Sequence, residues 1–181
     1  NHLSPKVNLM YTSYGKRSFT LAYSEGFRAP SLSELYLEYQ TSYGLFHKGN
    51  PEVTPEKVKS IEMKYEHPHN NILYWSISVF HNRYENMIDF KYAIPVLAIN
   101  REGVTGTGLE YLLRWTPTEK LIFSGSYSHL DMRDLDGASI LYRSKHRGKI
   151  NVQYIMNLIN VQLGIKAWSN QIYEDFLDEC H

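Results

Sequence analysis

Residues 39–48 gather side chains able to hold a small ligand: Tyr39, Tyr43, Phe46, His47 and Lys48. A neutral imidazole or a phenolate can ligate a metal, and aromatic rings can stack on a flat partner. His47 is the leading single candidate, weighed against the plainer reading of a solvent-exposed loop histidine. His67-Pro68-His69 also has metal-like spacing, but it falls in an expected turn with no third ligand close in sequence. Catalysis has little to stand on. There is no nucleophile elbow, phosphate loop or HExxH helix. His129 and Asp131 share an expected strand face, yet no serine stands in a recognisable motif beside them. Cys180 is alone, so neither an internal disulfide nor a cysteine metal site can form. No catalytic residue is expected, and no cofactor beyond a bound ligand.

The elements that must position residues 39–48 are strands. Apolar and polar residues alternate in eight segments: 7–12, 18–24, 60–66, 73–79, 108–115, 121–128, 149–154 and 161–168. In the third, Ile61, Met63 and Tyr65 oppose Ser60, Glu62, Lys64 and Glu66. Successive side chains of a strand point to opposite faces, so each segment has one apolar and one polar face. No comparable run has helical period. The joins alternate in length. Residues 14–17, 68–71, 117–120 and 157–160 are short and turn-like, whereas 26–57, 86–100 and 131–146 are long. Antiparallel strands place successive joins on opposite sides, so all long loops fall at one end. Outer-membrane barrels sort their loops in this way, and a soluble sandwich has no reason to.

Composition agrees. Lys plus Arg equals Asp plus Glu at 19 each, which gives no basic surface for nucleic acid. No apolar run of ~18 residues exists, which excludes a helical membrane span but not a barrel, whose strands average out as polar. Aromatics make up 14% of the chain, 15 of them Tyr, and Tyr11, Tyr23, Tyr65, Trp115 and Tyr154 end the apolar faces as interfacial anchors would. About 10 residues at ~3.3 Å each, tilted by ~40°, rise roughly 25 Å, the height of a barrel's apolar band.

The long segment 26–57 opens with Gly26-Phe27-Arg28-Ala29-Pro30-Ser31-Leu32-Ser33-Glu34-Leu35-Tyr36 and closes with Gly49-Asn50-Pro51-Glu52-Val53-Thr54-Pro55-Glu56-Lys57. These phrases resemble the "FRAP-SLxELY" and "GNPxLxPE" signature of TonB-dependent outer-membrane receptors, with Val53 where Leu is usual. Asn100, Gly103, Gly106, Gly108 and Glu110 resemble the family's "N-x-G-x-x-x-x-G-x-E" strand. Ser126-Tyr127-Ser128-His129-Leu130-Asp131, Arg143-Ser144-Lys145-His146 and Tyr173-Glu174-Asp175 resemble later phrases, although Ser144 replaces a usual Pro.

The resemblance implies an all-β, antiparallel transmembrane barrel. About eight strands of a 22-stranded receptor barrel would lie within residues 1–181, with the amino-terminal plug and the final strands outside them. It implies uptake of a scarce nutrient (cobalamin, haem or a ferric siderophore) from the surface of a Gram-negative outer membrane. TonB, acting through the plug, and outer-membrane lipid would be the partners. Haem receptors of the family tend to carry a histidine between the two phrases, which makes His47 a possible haem ligand. The phrases themselves, with Phe27, Arg28, Pro30, Glu34, Asn50, Pro51, Pro55 and Glu56, read as loop scaffold. Pro51 and Pro55 lack the N–H a ladder needs, and Arg28 and Glu34 are placed to pair. Two other readings stay open: a small closed barrel with a structural or adhesion role, and a soluble all-β binding domain.

Overall fold

A computed structural model describes residues 3–42, 44–91, 94–140 and 143–169. In chain order the elements are β1 (Lys6–Thr12), β2 (Ser18–Arg28), α1 (Leu32–Tyr36), β3 (Glu38–Thr41), β4 (Gly44–Lys48), β5 (Glu56–His69) and β6 (Leu73–Glu85). They continue as β7 (Met87–Lys91), β8 (Val96–Arg101), β9 (Val104–Thr118), β10 (Leu121–Arg133), β11 (His146–Met156) and β12 (Ile159–Trp168). All eight alternating segments form one antiparallel sheet in the order β1-β2-β5-β6-β9-β10-β11-β12. Among the described residues β1 and β12 do not pair, so the sheet is open and the small closed barrel is not formed.

Register carries the alternation across the sheet. Leu21 faces Leu9 and Met63, Met63 faces Val79, and Val79 faces Leu109. One residue along, Thr20, Lys64, Ser78, Glu110, Ser128 and Arg147 form a polar row. The burial is inverted relative to a soluble sheet: Met63 is 46% exposed, while Ser76 and Ser78 behind it are 3% and 7% exposed. An apolar face left open over several strands needs a lipid or protein cover. Aromatic residues crowd that face near the short turns, where His67 stacks on Trp75 at 5.4 Å and Trp115 on Phe123 at 5.1 Å.

The strands run further than their alternation. β5 continues through Pro68 to His69, so the expected turn moves to residues 70–72, where Asn70 takes a positive φ of 55°. Pro68 is tolerated there because β2 stops opposite Glu66, leaving only β6 alongside. The pair His67 and His69 therefore sits on a strand end, stacked at 5.9 Å, rather than in a turn.

The segment 26–57 is not irregular throughout. β2 extends to Arg28, α1 follows, and the hairpin β3–β4 fills the stretch between the two phrases. That hairpin joins β7 and β8 from the next long segment in a second sheet ordered β3-β4-β8-β7. Its β4–β8 contact is parallel, with His47 beside Val96 and Lys48 beside Leu97. The hydrophobic cores lie at this long-loop end, not between the faces of the main sheet. One joins Val53, Ile88 and Ala98, with Leu35 and Phe90 packed against them. The other joins Met87, Val104, Met132 and Ile140, with Tyr84 and Leu130.

Candidate ligand-binding loops

The two signature phrases meet in space. Ser31 caps α1: its side chain accepts from the Glu34 N–H at 3.3 Å, and Glu34 Oε2 accepts from the Ser31 N–H at 2.7 Å. This reciprocal box satisfies donors that a helix start otherwise leaves unpaired. Glu34 is only 8% exposed and also takes Arg28 Nη1 at 3.0 Å, while Arg28 Nη2 reaches Glu56 at 3.4 Å. Burial opposes ionisation of Glu34, but the Ser31 donors and the Arg28 guanidinium outweigh it and hold its carboxyl below the usual range.

The descending phrase locks onto the ascending one through backbone. Gly49 N–H donates to Leu37 O at 2.7 Å, and Asn50 N–H to Glu34 O at 2.9 Å. A Cβ at Gly49 would lie 2.5 Å from Tyr36 N and 2.6 Å from the Leu35 carbonyl, so only glycine fits this approach. Asn50 Oδ1 accepts from Glu52 N–H at 3.1 Å around Pro51, closing the expected turn. Residues 49–55 carry no strand, and Pro55 hands the chain to β5 at Glu56. Phe27 lies on β2 opposite Lys57, and half-buried Pro30 links β2 to α1.

The second long loop is tied to the first by contacts that sequence reasoning missed. Asn50 Nδ2 donates to Ala98 O at 2.9 Å, and Glu56 Oε2 accepts from Ile88 N–H at 2.9 Å. Asn100 Oδ1 accepts from both Thr54 N–H at 2.7 Å and Thr54 Oγ1 at 3.0 Å. Its Nδ2 donates to Thr54 O at 3.0 Å and Asn86 O at 2.9 Å. Arg101 pairs with Asp89 at 3.1 Å and with Asp134 of the third long loop at 3.6 Å. The available signal was Asn100 itself, at the head of the glycine-rich phrase.

On this base stand the candidate ligand residues. Tyr39 and Phe46 are 56% and 51% exposed, their rings meeting edge to face at 6.4 Å. His47 pairs across the hairpin with Tyr39, is half-buried, and lies 6.1 Å from the Phe90 ring. Lys48 is exposed and pairs with Glu38. Tyr43 lies outside the described residues, as do residues 173–175 and Cys180. The structure thus brings Tyr39, Phe46 and His47 onto one hairpin. It is braced from below by the scaffold residues and from the side by β8.

Comparison with known proteins agrees with this architecture. Residues 1–176 match the family described as TonB dependent receptor-like, beta-barrel. A curated relative, the hemoglobin and hemoglobin-haptoglobin-binding protein A of Haemophilus influenzae, is 28% identical over 159 residues. That match covers 79% of this chain and 14% of the relative. The ferric enterobactin receptor PfeA of Pseudomonas aeruginosa superposes with a TM-score of 0.71 at 16% identity, over 93% of this chain and 28% of that one. The siderophore receptor PirA of the same organism gives 0.70 at 17% identity, over 93% and 34%. The copper transporter OprC gives 0.71 at 13% identity, over 89% and 25%. The chain therefore spans about a third or less of the length of these proteins. With a family match over nearly its whole length and an open sheet of the matching fold, this chain belongs to the TonB-dependent receptor β-barrel family.

Proposed function

We propose that this chain forms part of the barrel wall and three surface loops of an outer-membrane receptor that takes up haem. The observation carrying the ligand choice is the β3–β4 hairpin, which sets His47 beside exposed Tyr39 and Phe46 at the long-loop end. A neutral imidazole is a haem-iron ligand, and aromatic side chains pack on a porphyrin face. The Haemophilus influenzae relative, named as a hemoglobin-binding protein, points the same way.

In this reading the apolar face of the main sheet meets outer-membrane lipid and the long loops face the cell exterior. Haem is held at the hairpin and admitted when TonB, acting through a plug domain, transmits energy from the inner-membrane proton gradient. No covalent bond is made or broken, so the side chains bind and position rather than catalyse. Visible-absorption titrations of the intact receptor with haem, cobalamin and a ferric siderophore test the choice. A Soret shift with haem, and no saturable response to the other two, supports the reading. Saturable binding of a siderophore or cobalamin without haem binding would refute it.

A further inference from the structure

The polar face of the main sheet is electrostatically lopsided. On β2 and β5 carboxylates offset the cation: Lys64 Nζ lies 2.9 Å from Glu66, which also accepts from Ser18 at 3.1 Å and Tyr74 at 2.7 Å, and Glu62 stands beside Lys64 on the same face. On β9 to β12 they do not. Arg114, Arg147, Lys149 and Lys166 occupy this face, and none has an ion-pair partner among the described residues. Lys149 stands directly opposite Lys166 across the β11–β12 pair. Like charges at such a position destabilise a sheet unless a counter-charge lies between them. Glu110, two strands away on β9, is the one carboxylate lining the same hollow.

We propose that Arg147, Lys149 and Lys166, continued by Arg114, form an anion-binding strip on the lumen wall that takes the carboxylates of the transported solute. The proposal rests on the haem reading above, because haem carries two propionates on an otherwise apolar ring. Two hollows, of about 600 and 750 Å³, share Lys149. Neutral donors surround the cations: Ser126 faces Lys149, Ser128 faces Arg147, and Asn151 lies beside Ser124. Trp168, opposite Arg147, offers a ring for stacking. Adjacent strands are ~4.8 Å apart, so Lys149 and Lys166 can clasp one carboxylate from both sides.

The test compares haem with haem dimethyl ester, which keeps the iron and ring but loses both charges, on the intact receptor. The parent is expected to bind haem about tenfold more tightly than the ester, the scale of two solvent-accessible ion pairs. In the Lys149→Gln/Lys166→Gln variant that preference should vanish through weaker haem binding, with ester binding unchanged, and the Lys149→Arg/Lys166→Arg variant should keep it. Lys166→Gln alone should shift the ratio the same way and decides the matter if the double variant misassembles. A preference that survives both Gln variants overturns the strip and leaves these lysines to an acidic protein segment. Equal binding of haem and ester by the parent also overturns the strip, while leaving the haem reading intact. Failure of the parent to bind either porphyrin overturns the haem reading itself.

Discussion

Asn100 and Thr54 hold each other by three hydrogen bonds. The Asn100 side chain accepts from the Thr54 N–H and hydroxyl and donates to its carbonyl, at 2.7 to 3.0 Å. The two residues lie 46 positions apart, at the ends of different long loops. Asn100→Ala would hand the exposed Thr54 groups and Asn86 O to water, at a net cost of about 0.5–1.5 kcal/mol. In the intact receptor, amide exchange should quicken at residues 49–55 and 86–101, while the barrel strands keep their protection. Unchanged exchange at Thr54 would show that the pair contributes nothing to holding the loops together.

Gly49 should be irreplaceable for a separate reason. Its Cβ would strike backbone of Leu35 and Tyr36, which a side-chain shift cannot relieve. Gly49→Ala should destabilise the loop by about 1–3 kcal/mol, seen as earlier proteolysis between α1 and β5. Gly148→Ala, where nothing lies within 4 Å, is the matched control and should leave cleavage unchanged.

The Arg28–Glu34 pair predicts a pH dependence of defined sign. Glu34 has a folded pKa below its ordinary value, so its contribution is present above the ordinary carboxylate pKa. It is lost as pH falls through the depressed value. Loop protection against protease should therefore hold at neutral pH and decline at and below about pH 4. Glu34→Gln should be weaker at neutral pH and flatter across the acid range. A variant with the parent's acid profile would remove Glu34 from the account.

The apolar face gives a prediction about the membrane. Val79, between Met63 and Leu109, sits in the middle of the apolar rows. Val79→Arg should cost about 2–4 kcal/mol if that face meets lipid, and less folded receptor should reach the outer membrane. Ala22→Arg, on the opposite face against Glu62, should assemble normally. Equal assembly of the two variants would contradict a lipid-facing apolar side.

The main sheet was legible because its signal is local. Each strand writes its two faces into its own residues, as Ile61, Glu62, Met63 and Lys64 do, and turns such as Asn70-Asn71 punctuate them. The second sheet was not legible. β3, β4, β7 and β8 are four to six residues long and show no clean alternation. They pair because the loops are already held together, through the β4–β8 contact and the Val53, Ile88 and Ala98 core. The site divides the same way. Arg28 and Glu34, six residues apart, could be paired from sequence. The partnership of Asn100 with Thr54 depends on two loops folding back to one place, which no local pattern encodes.

A haem titration of the intact receptor against its His47→Ala variant, followed by Soret absorbance, tests the hairpin as the haem site. If His47 ligates the iron, the variant should bind haem well over tenfold more weakly, since a metal–imidazole bond is lost. Its remaining spectrum should lack the imidazole-ligated form. Parent-like affinity and an unchanged Soret band in His47→Ala would contradict the assignment of this hairpin as the haem site.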